Sequence, residues 1–394
     1  MNRDRSELLR KAEAMLPRIV EWRRTIHRRP ELGYREEQTA AYVAGVLRSL
    51  GLEVKTGIAK TGVLGLLRGK SPGKTVALRA ELDALPIHEA TGLPFASEIP
   101  GVMHACGHDG HMAAVLGACA LLAEDRDSLR GNVKFIFQPA EEMLGGGQAL
   151  CEAGVLHDPD VDCIFALHLW PWIPKGEIHF ARGMMMAAFD EFRLEVFGRS
   201  SHGASPHLGV DAIVAACRIV DALQTIASRV VDPQDPVVVT VGKINGGTAT
   251  NIIADRVEIA GSVRTFDPAV RSSMPGLIER IASSTAAAHG AEVRFEWRDG
   301  YPALLNDGGA AERFFGAARL VLGESAPRWL DRPSMTSEDF AFYLQEVPGS
   351  FAFLGVREGD DTPGLHTPNF RFDEKVLAPA AAVLAGVALE TLEA

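Results

Sequence analysis

The stretch His104-Ala105-Cys106-Gly107-His108-Asp109-Gly110-His111 runs straight into the small-residue apolar segment Met112 to Ala123. Three imidazoles, a thiol and a carboxylate fall within eight positions, with two glycines that let the backbone turn tightly. Such a density of soft and borderline ligands selects a transition metal such as Zn, Mn, Co or Ni over Ca or Mg. One short loop cannot close a coordination shell, so further ligands must come from distant segments. The apolar run behind the loop reads as a buried helix.

Working outward, β-rich runs flank this loop on both sides. Val63-Leu64-Gly65-Leu66-Leu67 and Thr75 to Ala80 precede it; Val133 to Phe137 and Cys163 to Leu169 follow. The segment Arg5 to Leu50 has helical spacing (Leu8, Leu9, Ala12, Met15, Leu16) with one break at Pro30. Strands alternating with helices predict an α/β domain with a largely parallel central sheet. Near Phe189 the texture changes, and Phe192-Arg193-Leu194-Glu195-Val196-Phe197 alternates as a half-exposed strand does. A helix follows from about Val210 to Arg229, then strands Val237 to Ile244 and Arg256 to Thr265. A helix from about Val270 to His289 and a strand from Glu292 to Trp297 complete the series. That β-α-β-β-α-β order predicts a ferredoxin-like α+β unit. After Tyr301-Pro302 helix and strand resume, closing with a helix from about Pro379 to Leu392, where proline is tolerated in the first turn. The expected organisation is an α/β domain formed by residues 1–187 and 301–394, interrupted by an inserted domain over 188–300.

Composition narrows the function classes. The 394 residues carry a net charge of −11, with 47% hydrophobic and 23% charged residues, as in an ordinary soluble globular protein. The negative balance argues against nucleic acid or an anionic membrane surface as partner. The run Met1 to Arg10 is charged and shows no apolar core of a secretory signal, and no uninterrupted apolar run reaches about 20 residues. Five cysteines, odd in number and unpatterned, fit a reducing compartment, so a cytoplasmic location is expected.

Four features complete the candidate site. Glu141-Glu142 follows the strand Val133 to Phe137; adjacent carboxylates there repel unless a cation is near, which suits one as ligand and one as general base. His168 sits near the end of an apolar strand and His366 in a turn-rich loop; singly, each reads as an ordinary histidine. Glu81-Leu82-Asp83 places two carboxylates at i and i+2, suited to holding a ligating His in its tautomer. His111 reads as a packing or supporting histidine, and Asp109 as a possible helix N-cap. Each candidate lies at the carboxyl end of a strand or in a loop, where ligands gather in open α/β sheets.

With these residues in view, the chain resembles the M20 metallopeptidase family, in the branch of aminoacylases, hippurate hydrolases and auxin-conjugate hydrolases. The resemblance spans Trp22-Arg23-Arg24-Thr25-Ile26-His27-Arg28-Arg29-Pro30-Glu31-Leu32-Gly33 to His366-Thr367-Pro368-Asn369-Phe370. Its most specific motifs are Met103-His104-Ala105-Cys106-Gly107-His108-Asp109, Gln138-Pro139-Ala140-Glu141-Glu142, Ser205-Pro206-His207-Leu208-Gly209-Val210-Asp211-Ala212 and Ser337-Glu338-Asp339-Phe340. Two departures stand out: Glu81 where that branch carries Asp, and Arg199-Ser200-Ser201 before His202 where it carries Lys and a small residue.

The resemblance implies a zinc-peptidase-like catalytic domain with an inserted lid and dimerisation domain, and hence a homodimer or higher homo-oligomer. It implies two divalent metal ions (Zn, Mn, Co or Ni) held by Cys106, His108, Glu142, His168 and His366. It assigns Glu141 as general base, with Asp83 as the functional member of the acidic pair. His202 would polarise the substrate carbonyl, and Asn251 with Arg264 would hold a substrate carboxylate. The implied activity is hydrolysis of N-acyl-L-amino acids to a carboxylic acid and a free amino acid. Deacetylation of N-acetyl-diaminopimelate or N-acetylcysteine and dipeptide hydrolysis stand beside it, and the non-enzyme alternative is an inactive metal-supported binding protein.

Overall fold

The computed structural model describes residues 6–142 and 145–394; Arg5, at the expected start of the first helix, lies outside them. The chain divides into two compact units. The larger takes the chain up to Met185, then Leu305–Pro333 and Asp339–Ala394; the smaller takes Met186–Leu304 and Ser334–Glu338.

Eight strands form one sheet in the larger unit, in the spatial order Glu53–Ile58, Gly62–Arg68, Arg130–Gln138, Ser71–Glu81, Cys163–Pro174, Gly349–Arg357, Ile178–Phe180, Pro327–Trp329. The central four, from Arg130–Gln138 to Gly349–Arg357, run parallel. The first two strands attach antiparallel at one edge. The central strands read as continuous apolar runs because helices and loops cover both sheet faces. Phe135, Ile136 and Phe137, then Ile164, Phe165 and Ala166, are fully buried.

The last helix, Leu377–Glu393, packs against Ser6–Arg28, His108–Glu124, Gly308–Leu322 and the strand Ser71–Glu81. A Cβ at Gly117 would come within 2.8 Å of Ala381 Cβ and 2.9 Å of Ile19 Cδ1, so glycine permits this close helix approach. The segment Glu374–Glu393 is long and apolar enough to cross a membrane by composition, yet 83% of its most apolar stretch is buried inside the protein. It is a core helix.

In the smaller unit four antiparallel strands lie in the order Val237–Gly246, Arg256–Thr265, Ala188–Phe197, Glu292–Tyr301. With the helices Ala212–Leu223 and Pro268–Ala288 this is the expected ferredoxin-like unit. Phe192, Leu194 and Val196 alternate inward to a core shared with Ile219, Ile259 and Ile278. The first helix is shorter than its periodicity predicts: Asp211 caps it by accepting from Ile213 and Val214 N–H, and a separate π-turn, Ile226–Val230, follows Leu223. Asp190, fully buried, takes both arms of the Arg271 guanidinium at 2.7 and 2.9 Å, tying the second helix to the sheet.

Candidate metal centre

The larger unit gathers its chemistry where the parallel strands end. The strand Ser71–Glu81 leads to Asp83 and Arg130–Gln138 leads to Glu141 and Glu142, whereas Cys163–Pro174 continues past the expected Leu169, so His168 lies in mid-strand and not near its end. Gly107, at φ 87°, turns the loop into the helix His108–Glu124 and occupies its N-cap. His366 arrives from the C-terminal loop, its N–H bonded to Ala105 O at 2.9 Å.

Five side chains converge around one thiol. Cys106 Sγ lies 3.4 Å from His168 Nε2 and 3.3 Å from His366 Nε2, and His366 Nε2 lies 3.0 Å from Glu142 Oε1. Cys106, His108 and His168 form one set with ligand atoms mutually within 4.8 Å; Cys106, Glu142 and His366 form a second. Both sets share Cys106. Glu141 lies beside them, with Oε2 4.0 Å from His108 Nε2.

The donor chemistry fits a pair of cations. His108 donates Nδ1–H to Asp83 O at 2.8 Å, with Asp83 Oδ1 at 3.3 Å, so its Nε2 lone pair faces inward. That buried Nε2 has no hydrogen-bond partner among the described residues. His168 likewise donates Nδ1–H to Leu169 O at 2.7 Å and turns Nε2 toward Cys106. Asp83 and Glu141 are buried beside these ligand atoms, where a cation is favoured, while Glu81 behind them is paired with Arg79.

The electrostatics carry the same imprint. Burial pushes the Cys106 thiol well up, and the neighbouring Glu142 and Glu141 carboxylates push it further. Burial lowers His168, and His111 beside it adds to the effect. For His108 burial opposes the charged form, but the Asp83 hydrogen bond and the carboxylates of Glu81, Asp83 and Glu142 outweigh it and raise the pKa to about 10.

Further residues support the site, and of these Glu36 and Arg79 give no signal in the sequence. Glu36, from the turn after the first helix, accepts from Ala140 N at 2.9 Å and from Thr61 Oγ1 at 2.6 Å. Asp83 Oδ2 accepts from Glu142 N at 3.0 Å, so two buried carboxylates pin the backbone on either side of Glu141. Arg79 spreads its guanidinium over Glu81, Gln138 Oε1 at 2.9 Å and Asp339 Oδ1 at 2.7 Å. Glu81 turns to His111 and not to a member of the converging five. Asp109, a possible N-cap by sequence, instead pairs with Arg23 Nε at 2.8 Å and His27 Nδ1 at 2.9 Å. For Glu36 and Arg79 only the spacing of long-range partners could reveal these contacts, and no local pattern encodes it.

The smaller unit holds the other three candidates. His202 and Asn251 are neighbours: the strand Ser201–His202 pairs with Ile252–Ile253, and Gly203 N–H donates to Asn251 O at 2.7 Å. His202 is exposed, and its Nδ1 accepts from Ala204 N at 3.0 Å. Arg264 stacks over Phe189 at 5.0 Å and donates Nη1 to Met335 O and Ser337 Oγ, each at 2.9 Å. It is half-buried, no carboxylate contact to it is seen among the described residues, and burial lowers its pKa.

The family described as Peptidase family M20/M25/M40 matches residues 77–390, and the chain belongs to it. It is therefore a metal-dependent hydrolase of the peptidase and amidohydrolase class. It is 42% identical over 364 residues to the N-acetyl-L-cysteine deacetylase of Bacillus subtilis (strain 168), covering 92% of this chain and 85% of that protein. It is 42% identical over 303 residues to the N-acyl-L-amino acid amidohydrolase of Geobacillus stearothermophilus, covering 77% and 81%. A crystal structure of a Bacillus subtilis protein, described as a dinuclear metal binding peptidase from the M20 family, superposes with a TM-score of 0.83 at 36% identity. That superposition covers 96% of this chain and 99% of the other.

Proposed function

We propose that the protein hydrolyses N-acyl-L-amino acids, releasing a carboxylic acid and a free amino acid. The observation that carries the reading is the pair of ligand sets meeting at Cys106, with Glu141 at their edge. In this reading Cys106, His108, Glu142, His168 and His366 hold two divalent cations, Zn, Mn, Co or Ni. Bound there, the cations supply Lewis acidity and bring the pKa of water toward about 7.

The protein's own groups do the rest. Glu141 takes the proton from the attacking water at its carboxylate and delivers it to the amide nitrogen as the C–N bond breaks. Asp83 holds the His108 ring with Nε2 inward and fixes the peptide that carries Glu142. His202 donates to the carbonyl oxygen as it gains negative charge. Arg264, a half-buried cation without an acidic partner among the described residues, is suited to the free α-carboxylate of an N-acyl amino acid. Asn251, beside His202, supports the same substrate.

The smaller unit serves as the lid and dimerisation domain. Its strand Val237–Gly246 ends the sheet, with Val238 and Ile244 exposed, an edge suited to pairing with a second copy. The thiol of Cys106 must stay reduced to act as a ligand, which suits a cytoplasmic enzyme. The test is a panel of N-acetyl, N-benzoyl and longer N-acyl amino acids, N-acetylcysteine and dipeptides, assayed with metal-loaded protein. Turnover of N-acyl amino acids above dipeptides supports the reading; cleavage of dipeptides alone overturns it.

A further inference from the structure

We propose that His111 and Glu81 form a positioning relay that fixes the ring of His168 through the Leu169 backbone. The relay rests on the reading of His168 as a metal ligand and adds two residues that act on it from behind. His111 and Glu81 are each 1% exposed, so neither can satisfy its polar atoms with solvent. His111 donates Nδ1–H to Glu81 Oε2 at 2.8 Å. That leaves a lone pair on Nε2, which accepts the Leu169 backbone N–H at 2.9 Å.

Leu169 carries the effect forward. Its carbonyl oxygen accepts Nδ1–H of His168 at 2.7 Å, which leaves Nε2 of His168 as the ring atom facing Cys106. One residue is thus held at its N–H by His111 while its C=O holds the ligand ring. The two rings also meet edge-on, with centroids 4.4 Å apart and planes at 63°. Behind the relay, Arg79 neutralises Glu81 and is braced by Asp339 and Gln138.

The same atoms exclude the competing role for His111. Glu81, His108 and His111 lie close enough to hold an ion of their own. Yet both His111 ring nitrogens are occupied, one by a carboxylate and one by a backbone N–H. A histidine so engaged orients a neighbour.

Two substitutions separate the relay from plain buried polarity. The amide of Gln reaches the place of Nε2 and can accept from Leu169 N–H, while the amide of Asn reaches only the place of Nδ1. Zinc affinity of reduced, metal-stripped full-length protein is measured by chelator competition. His111→Asn is expected to lose about 10- to 100-fold in affinity, and His111→Gln to stay within about 3-fold of the parent. Equal losses in both, or none in either, overturn the relay. Failure of the parent to bind zinc overturns the ligand reading instead. A second measurement needs no variant: in protein labelled with 15N-histidine, His111 must show a protonated Nδ1 and a bare Nε2. The reverse tautomer overturns the relay even if His111→Asn does not fold.

Discussion

The carboxylate of Glu36 accepts the backbone N–H of Ala140 at 2.9 Å, and Ala140 is held at φ 51°, in the left-handed region. A residue with a Cβ adopts that conformation only when its surroundings impose it. The strained residue stands directly before Glu141, so a contact from the first interhelical turn sets the direction of the proposed base.

Glu36→Ala removes the acceptor from a buried N–H, which costs about 1–3 kcal/mol of stability. It also lets Ala140 relax. The expected kinetic result is a kcat reduced about 10-fold or more, with KM within about 2-fold. Glu36→Gln keeps an acceptor oxygen and should retain most of the turnover. Steady-state kinetics on the two variants decide it, and an unchanged kcat in Glu36→Ala removes the positioning role.

Glu141→Gln keeps the size of the side chain and removes its ability to take a proton. Turnover should fall by about 10²- to 10⁴-fold, the usual contribution of a general base. Metal content, read by elemental analysis, should match the parent if Glu141 acts as base, although its carboxylate also falls in a candidate ligand group with His108 and Glu142. A variant that loses metal together with activity would move Glu141 from base to ligand.

The cluster of His27, Asp109 and Glu89 makes stability depend on pH. Burial disfavours the charged form of His27, but Asp109 and Glu89 outweigh it and raise the pKa to about 9. A raised folded-state pKa means stabilisation that is complete below the unfolded value of about 6.5 and lost as pH rises through about 9. The advantage of the parent over His27→Gln in urea unfolding should be largest near pH 6. It should shrink by up to about 3 kcal/mol by pH 9.5. A difference that does not change with pH contradicts a protonated His27.

Arg264 offers a contrast between two substrate forms. Arg264→Ala should raise KM about 10- to 100-fold for N-acyl amino acids with a free carboxylate, as expected for loss of a charge-assisted hydrogen bond. The corresponding amides should be affected little. Equal effects on both forms would leave Arg264 with only its contacts to Met335, Ser337 and Phe189.

The parts of this protein legible in its sequence are those with a local period or a local density of donors. The parallel strands show because burial on both faces leaves uninterrupted apolar runs such as Phe135-Ile136-Phe137. Strict alternation over Phe192 to Phe197 marks the open antiparallel sheet of the smaller unit. Cys106 and His108 stand out because a thiol and an imidazole with a glycine between them are an unusual pair of candidate ligands at a helix start. His168 and His366 are different: alone, each reads as a common histidine, and only family resemblance joins them to the loop. Glu36 and Arg79 are less legible still, while for Glu81 and His111 the sequence shows the supporting roles but not that the two meet. Their partners lie 104 residues away in the case of Glu36 and Ala140, and 260 in the case of Arg79 and Asp339. No spacing in one chain announces such contacts. The central strand Gly349–Arg357 is a related case, since its place between Cys163–Pro174 and Ile178–Phe180 follows from sheet order and not from its own residues.

In the proposed reading Cys106 is shared by two cation sites. Its most direct test is the metal stoichiometry of reduced, zinc-loaded protein after gel filtration, for the parent and for Cys106→Ala. The expected result is two ions per chain in the parent and one or fewer in the variant. A parent that retains no zinc, or a variant that still retains two ions, contradicts it.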